Sequence, residues 1–135
     1  MRVIKIPYDI SIPVSVHNLD VDPRSYSALC EIKQLIGIDM AEIVRIKFPI
    51  RYSNPLYDTC YIVDEVGKLK EGWECRINYR ASAFYPGSFY GDPIVGNVVV
   101  CARSWTSSFG ECDLDDFPED YLNNIMSLFE AYDHE

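Results

Sequence analysis

The chain has 135 residues, 48% of them hydrophobic and 13% aromatic, and a formal net charge of −9. That length suits one domain around a single core, and the hydrophobic share excludes a disordered chain. No run reaches the roughly 18 apolar residues of a membrane span, and MRVIKIPYDISIP lacks the apolar block and small-residue cleavage site of a secretory signal.

The charge is unevenly placed. Residues 1–110 carry twelve Asp/Glu and twelve Lys/Arg, which cancel, while residues 111–135 carry nine acids and no Lys or Arg. Such a block repels the phosphates of nucleic acid and attracts a basic protein surface. Five cysteines (Cys30, Cys60, Cys75, Cys101, Cys112) form no CxxC pair, so neither a zinc site nor a secreted disulfide framework is expected. The composition predicts reduced thiols in a cytosolic protein, with no metal and no cofactor.

In chain order, Val3–Ile6 is a short strand candidate. Ile10, Ile12, Val14 and Val16 alternate with polar residues and Pro13, the pattern of an edge strand over 10–16. Asp22-Pro23 predicts a helix start. Ala28, Leu29, Ile32, Leu35 and Ile36 recur at helical spacing, and Gly37 stands where a C-terminal cap belongs. Glu42–Phe48 alternates as a half-buried strand with Val44, Ile46 and Phe48 inward. Arg51–Asp58 reads as a loop, Thr59–Val63 as a strand, and Asp64–Lys68 as the turn after it, with Leu69 and Trp73 covering the core beyond. Ile94–Arg103 is an almost continuous apolar run, expected to be a central strand interrupted by Gly96. Trp105–Asp113 is a polar connection. From Phe117, the stripe Tyr121, Leu122, Ile125, Leu128, Phe129 and Tyr132 predicts a helix, with acids in its first turn favoured by the helix dipole.

These elements predict a single α+β domain over 1–135. Its sheet is antiparallel or mixed, two main helices pack on one side, and an acidic helical segment occupies 111–135. The expected core includes Leu29, Ile32, Ile62, Val98, Val100, Ile125 and Phe129.

One stretch carries a resemblance. Val63, Asp64, Glu65, Gly67, Lys68 and Leu69 form V-D-E-x-G-K-L. Asn78, Ala81 and Ser82 form N-x-x-A-S, and Gly91, Asp92, Pro93, Ile94, Val95 and Gly96 open G-D-P-I-V-G. Over about 40 residues this pattern resembles a family of small proteins of unknown function encoded by phages, plasmids and integrated elements. The resemblance implies a genomic setting rather than a mechanism, and it suggests a short helix within Ile77–Phe84. Arg51–Thr59 and Tyr85–Gly91 stand as insertions against the family pattern.

No catalytic constellation can be picked out. His17 lies beside a predicted turn and His134 one residue from the chain end, and nothing in the local sequence supports a Ser/His/Asp or Cys/His system at either. Asp113-x-Asp115-Asp116 lacks the glycine and closing Glu of a calcium loop. Two binding regions remain. Glu111, Asp113, Asp115, Asp116, Glu119 and Asp120 form a candidate face for a basic protein partner, with no nucleic acid or membrane involved. Asn78, Arg80, Tyr85, Phe89 and Tyr90 form a candidate small-ligand site, in which Arg and aromatic rings stack a base and pair a phosphate. The alternative for the second group is structural: Asn78 as a cap, and Arg80 as a helix-surface residue over a partly buried aromatic loop. The favoured reading is a non-enzymatic accessory protein that acts by binding.

Overall fold

The computed structural model describes residues 1–46, 48–49, 52, 57–104 and 114–133. Its strands are β1 (Arg2–Ile6), β2 (Ser15–Asn18), β3 (Ala41–Arg45), β4 (Tyr57–Asp64), β5 (Val98–Ser104) and β6 (Leu114–Asp115). Its helices are α1 (Tyr26–Ile36), the short α2 (Tyr79–Ser82) and α3 (Glu119–Asp133). Five strands run in the order β2-β1-β5-β4-β3, and β6 pairs with β5 as well. Every pairing is antiparallel, with Ile4 opposite Val100, Val44 opposite Tyr61, and Tyr61 opposite Val100. The protein is therefore an α+β fold on an antiparallel sheet.

Strand residues alternate between two faces, and here both faces are buried. Ile4, Ile6, Tyr61, Val63, Val98, Val100 and Ala102 point into one layer, where Phe117, Tyr121, Leu122, Ile125, Leu128 and Phe129 of the α3 region cover them. Val3, Cys60, Ile62, Val99 and Cys101 point into the other, beneath Ala28, Ile32 and Ile36 of α1. The helices thus lie on opposite faces, which corrects the expectation that both pack on one side. The reason is legible in β5: its run Val98–Ala102 is apolar at every position and so needs cover on both faces. Of the expected core residues, Leu29 alone is half-buried, at the rim of the α1 layer.

Several boundaries move. Helix α1 starts three residues after Pro23, with Ser25 as N-cap. The Asp22 carboxylate instead accepts from Arg24 N at 3.0 Å, and the Ser25 hydroxyl donates to Asp22 O at 2.7 Å, so Asp22 closes a turn before the helix. At the other end Gly37 takes the left-handed conformation (φ 71°) and Ile38 N returns to Lys33 O, the predicted cap. Strand β3 ends at Arg45, yet Val44, Ile46 and Phe48 face the α3 layer as expected. The alternating segment 10–16 is a strand only from Ser15, and Ile10 and Ile12 are exposed. Leu69 projects into solvent rather than over the core. Gly96 (φ 85°) separates β5 from the buried pair Ile94 and Val95. The loop expected over Arg51–Asp58 lies mostly outside the described residues, though Asp58 belongs to β4; the connection Trp105–Asp113 and His134 lie wholly outside.

Among the described residues, no helix is long and apolar enough to cross a membrane.

Candidate functional site

The two ends of the family-like stretch meet in space. After β4, Asp64 accepts from Val66 N at 3.1 Å and from Lys70 Nζ at 2.6 Å, which fixes the turn that leads into a 3₁₀ turn over Gly67–Leu69. The segment Asp92–Val95 passes beside it. Between them lies a cleft of about 110 Å³ with an apolar floor of Val44, Val63, Ile94 and Val95. Its rim carries four carboxylates (Glu42, Asp64, Glu65, Asp92), one ammonium (Lys68) and the ring of Tyr85. Lys68 is ion-paired with Asp92, whose other oxygen accepts from the Tyr85 hydroxyl at 3.3 Å. Partial burial pulls the Lys68 ammonium below the ordinary lysine value, while Glu42 acts in the opposite sense.

Of the five residues of the expected ligand site, Tyr85 alone borders this cleft. Asn78 is buried and uses its whole amide. Its Nδ2 donates to Ile6 O and Gly96 O, both at 2.9 Å, and its Oδ1 accepts from Ala81 N at 3.0 Å, capping α2. Arg80 is 1% exposed. Its guanidinium donates to the carbonyls of Pro7 (2.6 Å), Asp9 (3.0 Å) and Ile12 (2.8 Å), and pairs with Asp133 at 3.3 Å. It faces inward and cannot stack a ligand, which removes the cation from the expected base-and-phosphate site. Phe89 and Tyr90 point the other way, 83% and 89% exposed. They stand on a 3₁₀ turn (Pro86–Tyr90) braced by the Ser88 hydroxyl, which is within hydrogen-bonding distance of Ser82 O (2.8 Å) and Tyr85 O (2.7 Å). The group is therefore dispersed rather than convergent.

The acidic residues divide as well. Asp116 accepts from Arg2 N at 2.8 Å and pairs with the Met1 ammonium at 3.7 Å, and Asp115 stands 4.0 Å from Arg24. These two acids tie the approach to α3 to the start of β1 and to the turn before α1. Glu119 and Asp120 are exposed at the start of α3, and Glu130 is exposed further along it. Among the described residues, none of these three forms an ion pair, and α3 contains no basic residue. Glu111 and Asp113 lie outside the described residues. Buried Tyr121, Leu122, Ile125, Leu128 and Phe129 hold the helix to the sheet, so the exposed acids sit on a fixed support.

Sequence reasoning missed the cleft as a site, although it quoted most of its rim for the resemblance. The available signal was the pairing of two motifs, one ending the strand-like run 59–63 and the other leading into the run 94–103. Their convergence is set by β4 lying beside β5.

No family model matches the chain, and no curated protein does. Among solved structures it is similar to one described as the crystal structure of small RNA methyltransferase HEN1, with a TM-score of 0.59 and 16% identity over 93% of this chain. The chain spans 16% of the length of that protein, and at this identity the likeness concerns the fold alone.

Proposed function

We propose that this chain is a non-enzymatic accessory protein of a phage or other mobile element. It acts in the cytoplasm by docking the acidic face of α3 on a basic surface of a host protein, for example a defence nuclease. The observation that carries this reading is the rigid display of Glu119, Asp120 and Glu130 on a helix with no basic residue and no ion pair to these acids among the described residues. A fixed negative patch pre-organises charge and raises the association rate towards a positive surface. The mobile-element setting rests on the V-D-E-x-G-K-L and G-D-P-I-V-G resemblance.

The test is the triple variant E119Q/D120N/E130Q, which spares Asp115 and Asp116, the acids that tie the approach to α3 into the fold. Binding kinetics are followed across a salt series, on a partner isolated from host lysate with the parent protein. The variant is expected to keep its thermal stability, since exposed charges contribute little. Its association is expected to slow about tenfold at low salt and to lose most of its salt dependence. Unchanged rates at every salt concentration reject charge docking.

That outcome would leave the second reading, a small-ligand-binding protein, which the cleft beneath Tyr85 favours over the dispersed 78–90 group. With Asp64 paired to Lys70 and Asp92 to Lys68, Glu42 and Glu65 still leave the rim negative, so such a ligand carries a positive group rather than a phosphate.

A further inference from the structure

Cys60 and Cys101 are Cα partners in the β4–β5 ladder, and both are fully buried. Both belong to the layer beneath α1, so their side chains leave the sheet on the same face from facing positions. Facing residues of an antiparallel pair have Cα atoms about 4.5 or 5.5 Å apart, according to whether they exchange hydrogen bonds. A disulfide accepts Cα separations of roughly 4.4–6.8 Å. Either class of pair therefore meets the Cα range of a disulfide, and the narrower class, with Cβ atoms about 4.5 Å apart, also meets its Cβ range.

We propose that Cys60 and Cys101 are a modification site: they form a cross-strand disulfide by exchange with a low-molecular-weight disulfide of the glutathione type. One protein thiolate attacks a sulfur of the small disulfide, giving a mixed disulfide and releasing one small thiol. The second protein thiolate then attacks the protein sulfur of that bond and releases the other. Two protein S–H groups are oxidised to one S–S bond, and the small disulfide takes up both electrons and both protons as two thiols.

Helix α1 controls the first step. Ala28, Ile32 and Ile36 lie over the two thiols in the same layer, so the oxidant enters only when α1 lifts from the sheet. The left-handed cap at Gly37 sets how readily it does so. Cys30, half-buried on α1, and exposed Cys75 react without this restriction and end as mixed disulfides.

The experiment incubates the full chain under native conditions with oxidised glutathione, quenches in acid and maps the peptides without reduction. The expected product is a linked peptide joining Cys60 to Cys101, with neither thiol alkylated after unfolding in denaturant. Gly37→Ala, which strains the cap and loosens α1, is expected to speed formation of that link about fivefold. Recovery of Cys60 and Cys101 as alkylatable thiols, or a link formed only in denaturant, overturns the proposal. A link at the same rate in Gly37→Ala overturns the role of α1 as the gate while leaving the pair in place.

Discussion

Tyr61 carries its phenol into the layer beneath α3, where the hydroxyl is buried with no hydrogen-bond partner among the described residues. An unpaired buried hydroxyl costs about 1 kcal/mol or more, so Tyr61→Phe is expected to raise stability by about 1 kcal/mol in denaturant unfolding. Burial also pushes the phenol above its ordinary value of 10.0. The folded protein therefore keeps a proton that the unfolded chain releases above that pH. Stability from this group is present below the unfolded value and is lost as pH rises past it. Tyr61→Phe should accordingly flatten the loss of melting temperature above about pH 10; a variant that loses stability there as steeply as the parent contradicts this account. The sequence reads Thr59–Val63 as a strand, which includes Tyr61, but no local pattern shows whether its oxygen finds a partner. The same holds for Asn78: its asparagine character suggested a cap, and only the approach of Ile6 and Gly96 reveals that its amide is fully used.

Among the elements, those defined by their own periodicity were readable and those defined by a distant residue were not. Helix α1 needed only its apolar spacing and Gly37. Segment 10–16 has the alternation of a strand, yet Arg80 diverts its start by taking the carbonyls of Pro7, Asp9 and Ile12, residues 68 to 73 positions earlier in the chain. Those carbonyls turn towards α2, and Ile10 and Ile12 are left in solvent. Arg80 thereby latches the loop after β1 to α2 and, through Asp133, to the end of α3. Removing one partner of a buried charge network typically costs about 3–5 kcal/mol. Arg80→Met is expected to lose that much in urea unfolding, with the largest gain in amide exchange over Pro7–Val14. Asp133→Asn, on a side chain 33% exposed, is expected to cost less than 1 kcal/mol. Equal losses in the two variants would mean that the ion pair, rather than the carbonyl cage, makes the latch.

For the whole molecule, the segregation of acids into 111–135 was plain in the sequence, whereas the two-sided burial of the sheet required reading β5 as doubly covered. Charge and topology also locate different parts of the candidate function. The acids of α3 face out from one layer, the cleft closes where β4 and the approach to β5 meet, and the cysteine pair lies under the opposite helix. The meeting of β1, β4 and β6 on β5 has a consequence for how the protein is made. During synthesis, β1 can pair with β2, and β3 with β4, as two separate hairpins. No strand pairing joins the two hairpins until Val98–Ser104 has emerged, and isolated hairpins are marginal in water. A chain ending at Asn97 is therefore expected to unfold without cooperativity and to be cut readily by protease; cooperative unfolding of that fragment would show that the halves find each other unaided. Until that late strand emerges, the nascent polypeptide holds apolar strands with open edges, the kind of surface that chaperones cover.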